Sequence, residues 1–199
     1  MRRAELAATA APTFIGAWTL EPTALCDRLV AFFEANPARQ QTGVVGGGVR
    51  ADWKRSTDLT VRPRDLVRPD HADLLAYFEA LYACYDDYLA QWPFLDRMLG
   101  RVAIGSFNLQ RYLPGEHFAQ THCERSSLPS LHRVLAWMTY LNDVEAGGAT
   151  HFEHFGLDVR PQKGLTLIWP ADWTHAHAGR VLEAGCKYIV TGWMHLDPS

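Results

Sequence analysis

Two short stretches place an imidazole and a carboxylate two residues apart: His122-x-Glu124 and His151-x-Glu153. In an extended strand the side-chain period of two points such a pair to one face. Either pair could therefore offer two ligands to one metal ion. A distant His would complete a two-His-one-carboxylate set, which holds Fe(II) from one side and leaves three positions open. Those positions suit an oxygenase, because a chelating co-substrate and O2 can share them. A single His-x-Glu pair is weak support on its own, since surface strands produce it by chance. His175 and His177, in Trp173-Thr-His-Ala-His, are candidates for the distant ligand. Lys187 also stands out, flanked by Tyr188, Ile189 and Val190. A buried ammonium there needs an anion to neutralise it; a Lys at a strand entrance with its head in water is the equal alternative.

The elements that must position these groups change in character along the chain. Glu21 to Asn36 carries Leu25, Leu29, Phe32 and Phe33 at helical spacing and is closed by Pro37. Asp70 to about Trp92 repeats the pattern with Leu74, Leu75, Phe78, Leu81, Tyr82, Tyr85 and Tyr88. Between them, Gln40 to Arg68, with Gly46, Gly47 and Gly48 and then Trp53, Lys54, Arg55 and Ser56, lacks a helical period and reads as a loop with short strands.

From Arg101 onward β-branched and aromatic runs alternate with turn signals. The predicted strands are Val102 to Tyr112, His117 to His122, Arg133 to Leu141, Thr150 to Phe155, Leu165 to Trp169, Thr174 to His177, and Lys187 to His195. Short strands in succession with helices covering one side give a fold that is mainly β with flanking helices, in outline a double-stranded β-helix or jelly roll. The expected organisation is one domain over 1–199. Its first 100 residues are mostly helical support and loops, and 101–199 form the core.

Composition excludes several classes. The chain has 199 residues, 48% hydrophobic and 21% charged, which suits an ordinary globular domain. A formal charge of -3 argues against general nucleic-acid binding. Cys26, Cys84, Cys123 and Cys186 show no C-x-x-C spacing and read as reduced thiols of a cytoplasmic protein. The run from Met1, Arg2 and Arg3 to Trp18 resembles a signal peptide, but Glu5, the interspersed Thr residues and Pro12 weaken that reading. No stretch approaches the length of a membrane-spanning helix, so no membrane partner is expected, and oligomeric state is left open.

The context of His122 and His177 resembles the prolyl 4-hydroxylase-like branch of the 2-oxoglutarate/Fe(II) oxygenases, over roughly Val102 to His195. Tyr112-x-x-Gly115 leads to His122 and Glu124, as in that family. Tyr140-Leu141-Asn142-Asp143 is followed by Gly147-Gly148-Ala149-Thr150-His151-Phe152. The family's distal His precedes a Gly by eight positions and a 2-oxoglutarate-binding Lys by ten, which selects His177, with Gly185 and Lys187, over His175.

The resemblance implies that His122, Glu124 and His177 are the metal and catalytic residues. It implies Lys187 as partner of the far carboxylate of 2-oxoglutarate, Tyr112 and Tyr140 as hydroxyl donors to that co-substrate, and Trp193 as a pocket wall. Core packing competes for the three aromatics. His175 becomes a candidate for a supporting or substrate contact on the same strand face, against a plain buried His.

The implied activity is hydroxylation of an unactivated C–H bond with release of succinate and CO2. The implied cofactors are Fe(II) and 2-oxoglutarate, with ascorbate as an additional candidate. The implied partners are O2 and a prolyl or peptidyl residue, a free amino acid or a small metabolite. Most of the family has Asp where Glu124 stands, which puts the geometry in question; a carboxylate there argues against halogenation. Two alternatives compete: a non-catalytic β-barrel binding module, and a cupin-type or hydrolytic metalloenzyme that does not use 2-oxoglutarate.

Overall fold

Two facing sheets, with helices against the outside of the larger one, make up the protein. The computed structural model describes residues 12–46, 48–99 and 102–196. Residues 1–11 of the leader-like stretch, Gly47 of the glycine run and Arg101 lie outside the described residues. In chain order the elements are β1 (Gly16–Thr19), α1 (Ala24–Glu34), β2 (Gln41–Thr42), β3 (Lys54–Arg55), β4 (Thr57–Val61), α2 (Ala72–Gln91), α3 (Pro93–Leu99), β5 (Val102–Ile104) and β6 (Phe107–Tyr112). They continue with β7 (His117–His122), β8 (Arg133–Tyr140), β9 (Ala146–Gly147), β10 (Thr150–Phe152), β11 (Leu157–Val159), β12 (Leu165–Pro170), β13 (His177–Gly179), β14 (Leu182–Ala184) and β15 (Lys187–Leu196).

The larger sheet has the order β1-β12-β8-β15-β6-β4-β2, with β5 also paired to β15. The smaller runs β11-β10-β13-β7-β3, and β14 pairs with β9. Every pairing is antiparallel. This is the jelly-roll core expected from the sequence.

Strand alternation assigns the two faces of the larger sheet. Leu135 and Trp137 on β8, Phe107 and Leu109 on β6, and Val190 and Met194 on β15 meet Leu25, Leu29 and Phe33 of α1 and Leu74, Tyr77, Phe78 and Leu81 of α2 in one apolar cluster. Their neighbours Ala136, Met138 and Tyr140, with Tyr112, Leu167, Trp169 and Ile189, turn inward with Phe152 of the smaller sheet. Three polar side chains beneath the helices are linked in a chain. The Tyr77 hydroxyl is 2.8 Å from Thr139 Oγ1, which is 2.7 Å from Thr166 Oγ1.

Three predicted strands are corrected. The Val102 to Tyr112 run is broken at Gly105 and Ser106 into β5 and β6, and the His195 ring fills the space beside Gly105. The strand from Thr150 stops at Phe152, because a 3-10 turn over Glu153–Phe155 ends at Gly156 with φ +56°. Thr174 to His177 is not a strand. Trp173–His175 is a 3-10 turn closed by Ala176 N–H to Trp173 O, and β13 begins only at His177.

Candidate active site

β7 and β13 are neighbours in the smaller sheet, with His122 and His177 as direct partners. Each imidazole is oriented by the backbone two residues earlier. His122 Nδ1 lies 2.8 Å from the Gln120 carbonyl oxygen, and His177 Nδ1 lies 2.8 Å from that of His175. A carbonyl only accepts, so each ring carries a proton on Nδ1 and turns Nε2 toward the site.

Phe118 stacks on His122 with centroids 3.9 Å apart at 15°. Trp169 and Phe152 flank His177 at 5.1 and 5.7 Å. Both rings are thereby held in place by apolar neighbours.

Glu124 reaches the same point by a different route from the one the sequence suggests. β7 ends at His122, so the strand period does not place Glu124. Past the strand, the N–H groups of Glu124 and Arg125 both donate to the Ala171 carbonyl at 3.1 Å, turning the chain toward the end of β12. The longer Glu side chain then returns. Its Oε1 lies 3.5 Å from His122 Nε2 and 3.3 Å from His177 Nε2.

Burial alone would push the Glu124 carboxyl up, but contacts with His122 and His177 outweigh it and hold the group well below the usual carboxylate range. Two imidazole nitrogens and a carboxylate oxygen thus face one another, all within 4.8 Å. Such a set can share one cation, either a proton on an imidazole or a metal ion. For bonds of about 2.1 Å at right angles, ligand atoms sit roughly 3 Å apart, so the spacing suits a transition metal.

Lys187 opens β15 on the inner face, opposite Tyr112 of β6. It is 3% exposed. Its Nζ donates to the Gly148 carbonyl at 2.9 Å and sits 4.3 Å above the Tyr112 ring. Gly148 permits the approach: its φ is +67°, and an added Cβ would lie 3.2 Å from Lys187 Cδ. Among the described residues no carboxylate pairs with this ammonium, and burial pushes its pKa down to about 8. Of the two sequence readings, burial of the side chain rules out an ammonium standing in water.

The Asn142 of the Tyr-Leu-Asn-Asp run clasps this strand. Its Nδ2 donates to Cys186 O at 2.6 Å, and its Oδ1 accepts from Tyr188 N–H at 2.7 Å.

The remaining named residues divide. The Tyr112 hydroxyl donates to Gln110 Oε1 at 2.8 Å, and that of Tyr140 donates to the Val159 carbonyl at 3.1 Å while lying 2.6 Å from Thr150 Oγ1. Burial raises the pKa of both phenols, so they stay protonated. Both line the interior, with their hydroxyl protons engaged by protein groups.

Trp193 is more than a wall, because its Nε1–H donates to Glu124 Oε2 at 2.7 Å. His175 is buried, bonded to the Thr13 carbonyl through Nε2 at 2.7 Å, and packed against Phe155 at 5.3 Å. The plain buried His is the correct description of its ring. His151, from the second His-x-Glu pair, points away from Phe152 and pairs with Asp158 at 2.9 Å.

Sequence reading missed Arg133, whose guanidinium lies 3.7 Å above the Trp193 ring. It also missed the buried group of Lys54, Ser56, Asp58 and Gln110. Asp58 accepts from Lys54 at 2.6 Å, Ser56 at 2.7 Å and Gln110 at 3.2 Å.

Comparison with known proteins bears directly on this geometry. Residues 107–195, which contain all three converging ligands and Lys187, match the family model described as 2OG-Fe(II) oxygenase superfamily. Over those residues the chain is similar to the 2OG-Fe(II) oxygenase superfamily. Among curated proteins it is similar to prolyl 4-hydroxylase subunit alpha-2 of Gallus gallus, 30% identical over 92 residues, covering 43% of this chain and 17% of the relative. It is also similar to subunit alpha-1 of Homo sapiens, 34% identical over 70 residues, covering 32% and 13%. The chain spans less than a fifth of the length of these relatives.

Two solved structures share the fold. A Pseudomonas putida prolyl-4-hydroxylase superimposes with TM-score 0.67 at 18% identity, covering 91% of each chain. A Trichoplax adhaerens prolyl hydroxylase, in complex with a hypoxia inducible factor oxygen degradation domain peptide fragment, gives 0.70 at 14% identity, covering 93% of this chain and 84% of that one.

The superfamily's name specifies Fe(II) and 2-oxoglutarate, and the residues fit both. The three acceptors of His122, Glu124 and His177 suit Fe(II). The buried Lys187 ammonium suits a dicarboxylate.

Proposed function

We propose that this chain is a 2-oxoglutarate- and Fe(II)-dependent dioxygenase that hydroxylates an unactivated C–H bond of a prolyl residue in a peptide. The observation that carries the reading is the convergence of His122 Nε2, His177 Nε2 and Glu124 Oε1, within a sheet interior that also buries Lys187 with no carboxylate partner among the described residues. When bound, Fe(II) and 2-oxoglutarate supply the oxidising power for the C–H bond, with succinate and CO2 as co-products.

The chain's own part is binding, orientation and exclusion of water. His122, Glu124 and His177 would hold the metal through two imidazoles and one carboxylate. Lys187, desolvated beside Tyr112, pairs with the far carboxylate of the co-substrate, and ion pairing offsets the cost of its burial. Phe152 and Trp169 wall the His177 side.

The prolyl substrate is supported by the prolyl 4-hydroxylase relatives. A cytoplasmic location is part of the same reading, supported by four free cysteines and by the absence, among the described residues, of a helix long and apolar enough to cross a membrane.

Succinate formation with Fe(II) and 2-oxoglutarate, compared across prolyl peptides, free proline and other free amino acids, tests the proposal. Stimulation by prolyl peptides is expected. Stimulation by free amino acids alone would overturn the substrate, and no Fe(II)-dependent succinate under any condition would overturn the activity.

A further inference from the structure

Glu124 is the least constrained of the three converging groups by its own backbone, since it lies beyond β7 on a turn held to Ala171. Three side-chain torsions separate its carboxylate from that turn, and ordering such a chain costs conformational entropy. A free carboxylate can also bind a metal through both oxygens, which would take one of the three positions the chemistry needs.

The structure shows the two oxygens held apart in role. Oε1 faces His122 and His177. Oε2 accepts the Trp193 indole N–H at 2.7 Å and lies 3.7 Å from Arg133 Nη1. Arg133 Nη1 also donates to the Glu124 backbone carbonyl at 3.1 Å, while its guanidinium covers the Trp193 ring at 3.7 Å. Trp193 itself is fixed on β15 opposite Ala136 of β8.

We propose that Trp193 and Arg133 are positioning residues that occupy Glu124 Oε2, so that Glu124 meets the metal through Oε1 alone. This rests on the reading of His122, Glu124 and His177 as the metal site. The indole supplies direction and the guanidinium supplies charge, and neither touches the metal. The arrangement keeps three positions free on an ion held by a carboxylate long enough to chelate it.

The test uses Co(II) as a spectroscopic probe of the intact chain. Wild type binds Co(II) with a visible ligand-field spectrum, and His177→Ala does not; failure of either point overturns the metal site itself.

Trp193→Phe keeps a ring for Arg133 to cover but removes the N–H. The expected result is Co(II) affinity weaker by about 10- to 100-fold. Its spectrum changes as the carboxylate shifts, while metal-free unfolding stays at the wild-type temperature. Glu124→Asp withdraws the carboxylate from the indole, so adding Trp193→Phe to it costs little more. Arg133→Met, which keeps the apolar stem, gives a smaller loss in the same direction and carries the test if Trp193→Phe does not fold. Wild-type affinity and spectrum in the tryptophan and arginine variants, or strictly additive losses in the Trp193 and Glu124 pair, would overturn the inference while leaving the metal site intact.

Discussion

His122 and His177 are register partners on antiparallel strands, and each donates its Nδ1–H at 2.8 Å to the carbonyl two residues before it. The same local device, repeated on β7 and β13, aims both Nε2 atoms at Glu124. Tautomer and aim are therefore written into the backbone of the smaller sheet. His122→Ala and His177→Ala should each abolish divalent-metal binding measured by calorimetry. His151→Ala, which loses the outward pairings with Asp158 and Glu153, should bind metal as wild type does. Loss of binding in the last variant would show that the second His-x-Glu pair had been assigned wrongly.

Lys187 predicts a pH dependence whose sign is set by its burial. Its folded pKa is pushed down to about 8, against 10.5 for a free Lys. The charged form is thus disfavoured by the fold, and this cost is full below pH 8. Between pH 8 and about 10.5 the unfolded chain holds the extra proton. This one group therefore makes stability rise with pH across that window. A bound dicarboxylate prefers the charged ammonium, so 2-oxoglutarate affinity should be flat below pH 8 and weaken above it, by up to tenfold per pH unit. Titration of binding against pH checks this, and Lys187→Met should both weaken binding and flatten the profile.

The buried Lys54–Asp58 pair, with both side chains at most 6% exposed, is a stability feature beside the site. Removing one partner strands the other charge, which typically costs about 3 to 5 kcal/mol. Asp58→Ala should lower the unfolding free energy by that amount in denaturant titration. The double replacement Lys54→Met with Asp58→Leu should lose clearly less. Equal losses would mean that the Ser56 and Gln110 contacts to Asp58 dominate.

Much of the architecture is legible in the sequence because burial is one-sided. α1 and α2 show their helical period through Leu25, Leu29, Phe33, Leu74, Phe78 and Leu81, all pressed on the outer face of the larger sheet. β7 has the predicted limits, and β15 differs by one residue.

The segment before His177 is not legible. Trp-Thr-His suits a strand as well as a 3-10 turn, and exposure of the Trp173 ring removes the burial that would decide. In the Gln40 to Arg68 segment, the short strands β2, β3 and β4 are visible only as a missing helical period. The pairings of β3 and β4 reach Phe118 and Leu109, far away in sequence.

The converging trio is readable as residue types, but the route of Glu124 is not. Period-two reasoning fails once the strand ends at His122, and the side chain arrives by its length. The hydrogen bond from Trp193 joins residues 69 apart, and the contact of Arg133 with both is similarly non-local. Lys187 could be suspected from its apolar neighbours. Its contact with the Gly148 carbonyl depends on a turn that no spacing rule displays.

Release of labelled CO2 from the C1 carboxylate of 2-oxoglutarate, measured with and without Fe(II), tests the central claim most directly. The account predicts release by wild type that requires Fe(II), none by His177→Ala, and release by Lys187→Ala only at greatly raised 2-oxoglutarate. Full release by both variants, or release by wild type without Fe(II), would contradict it.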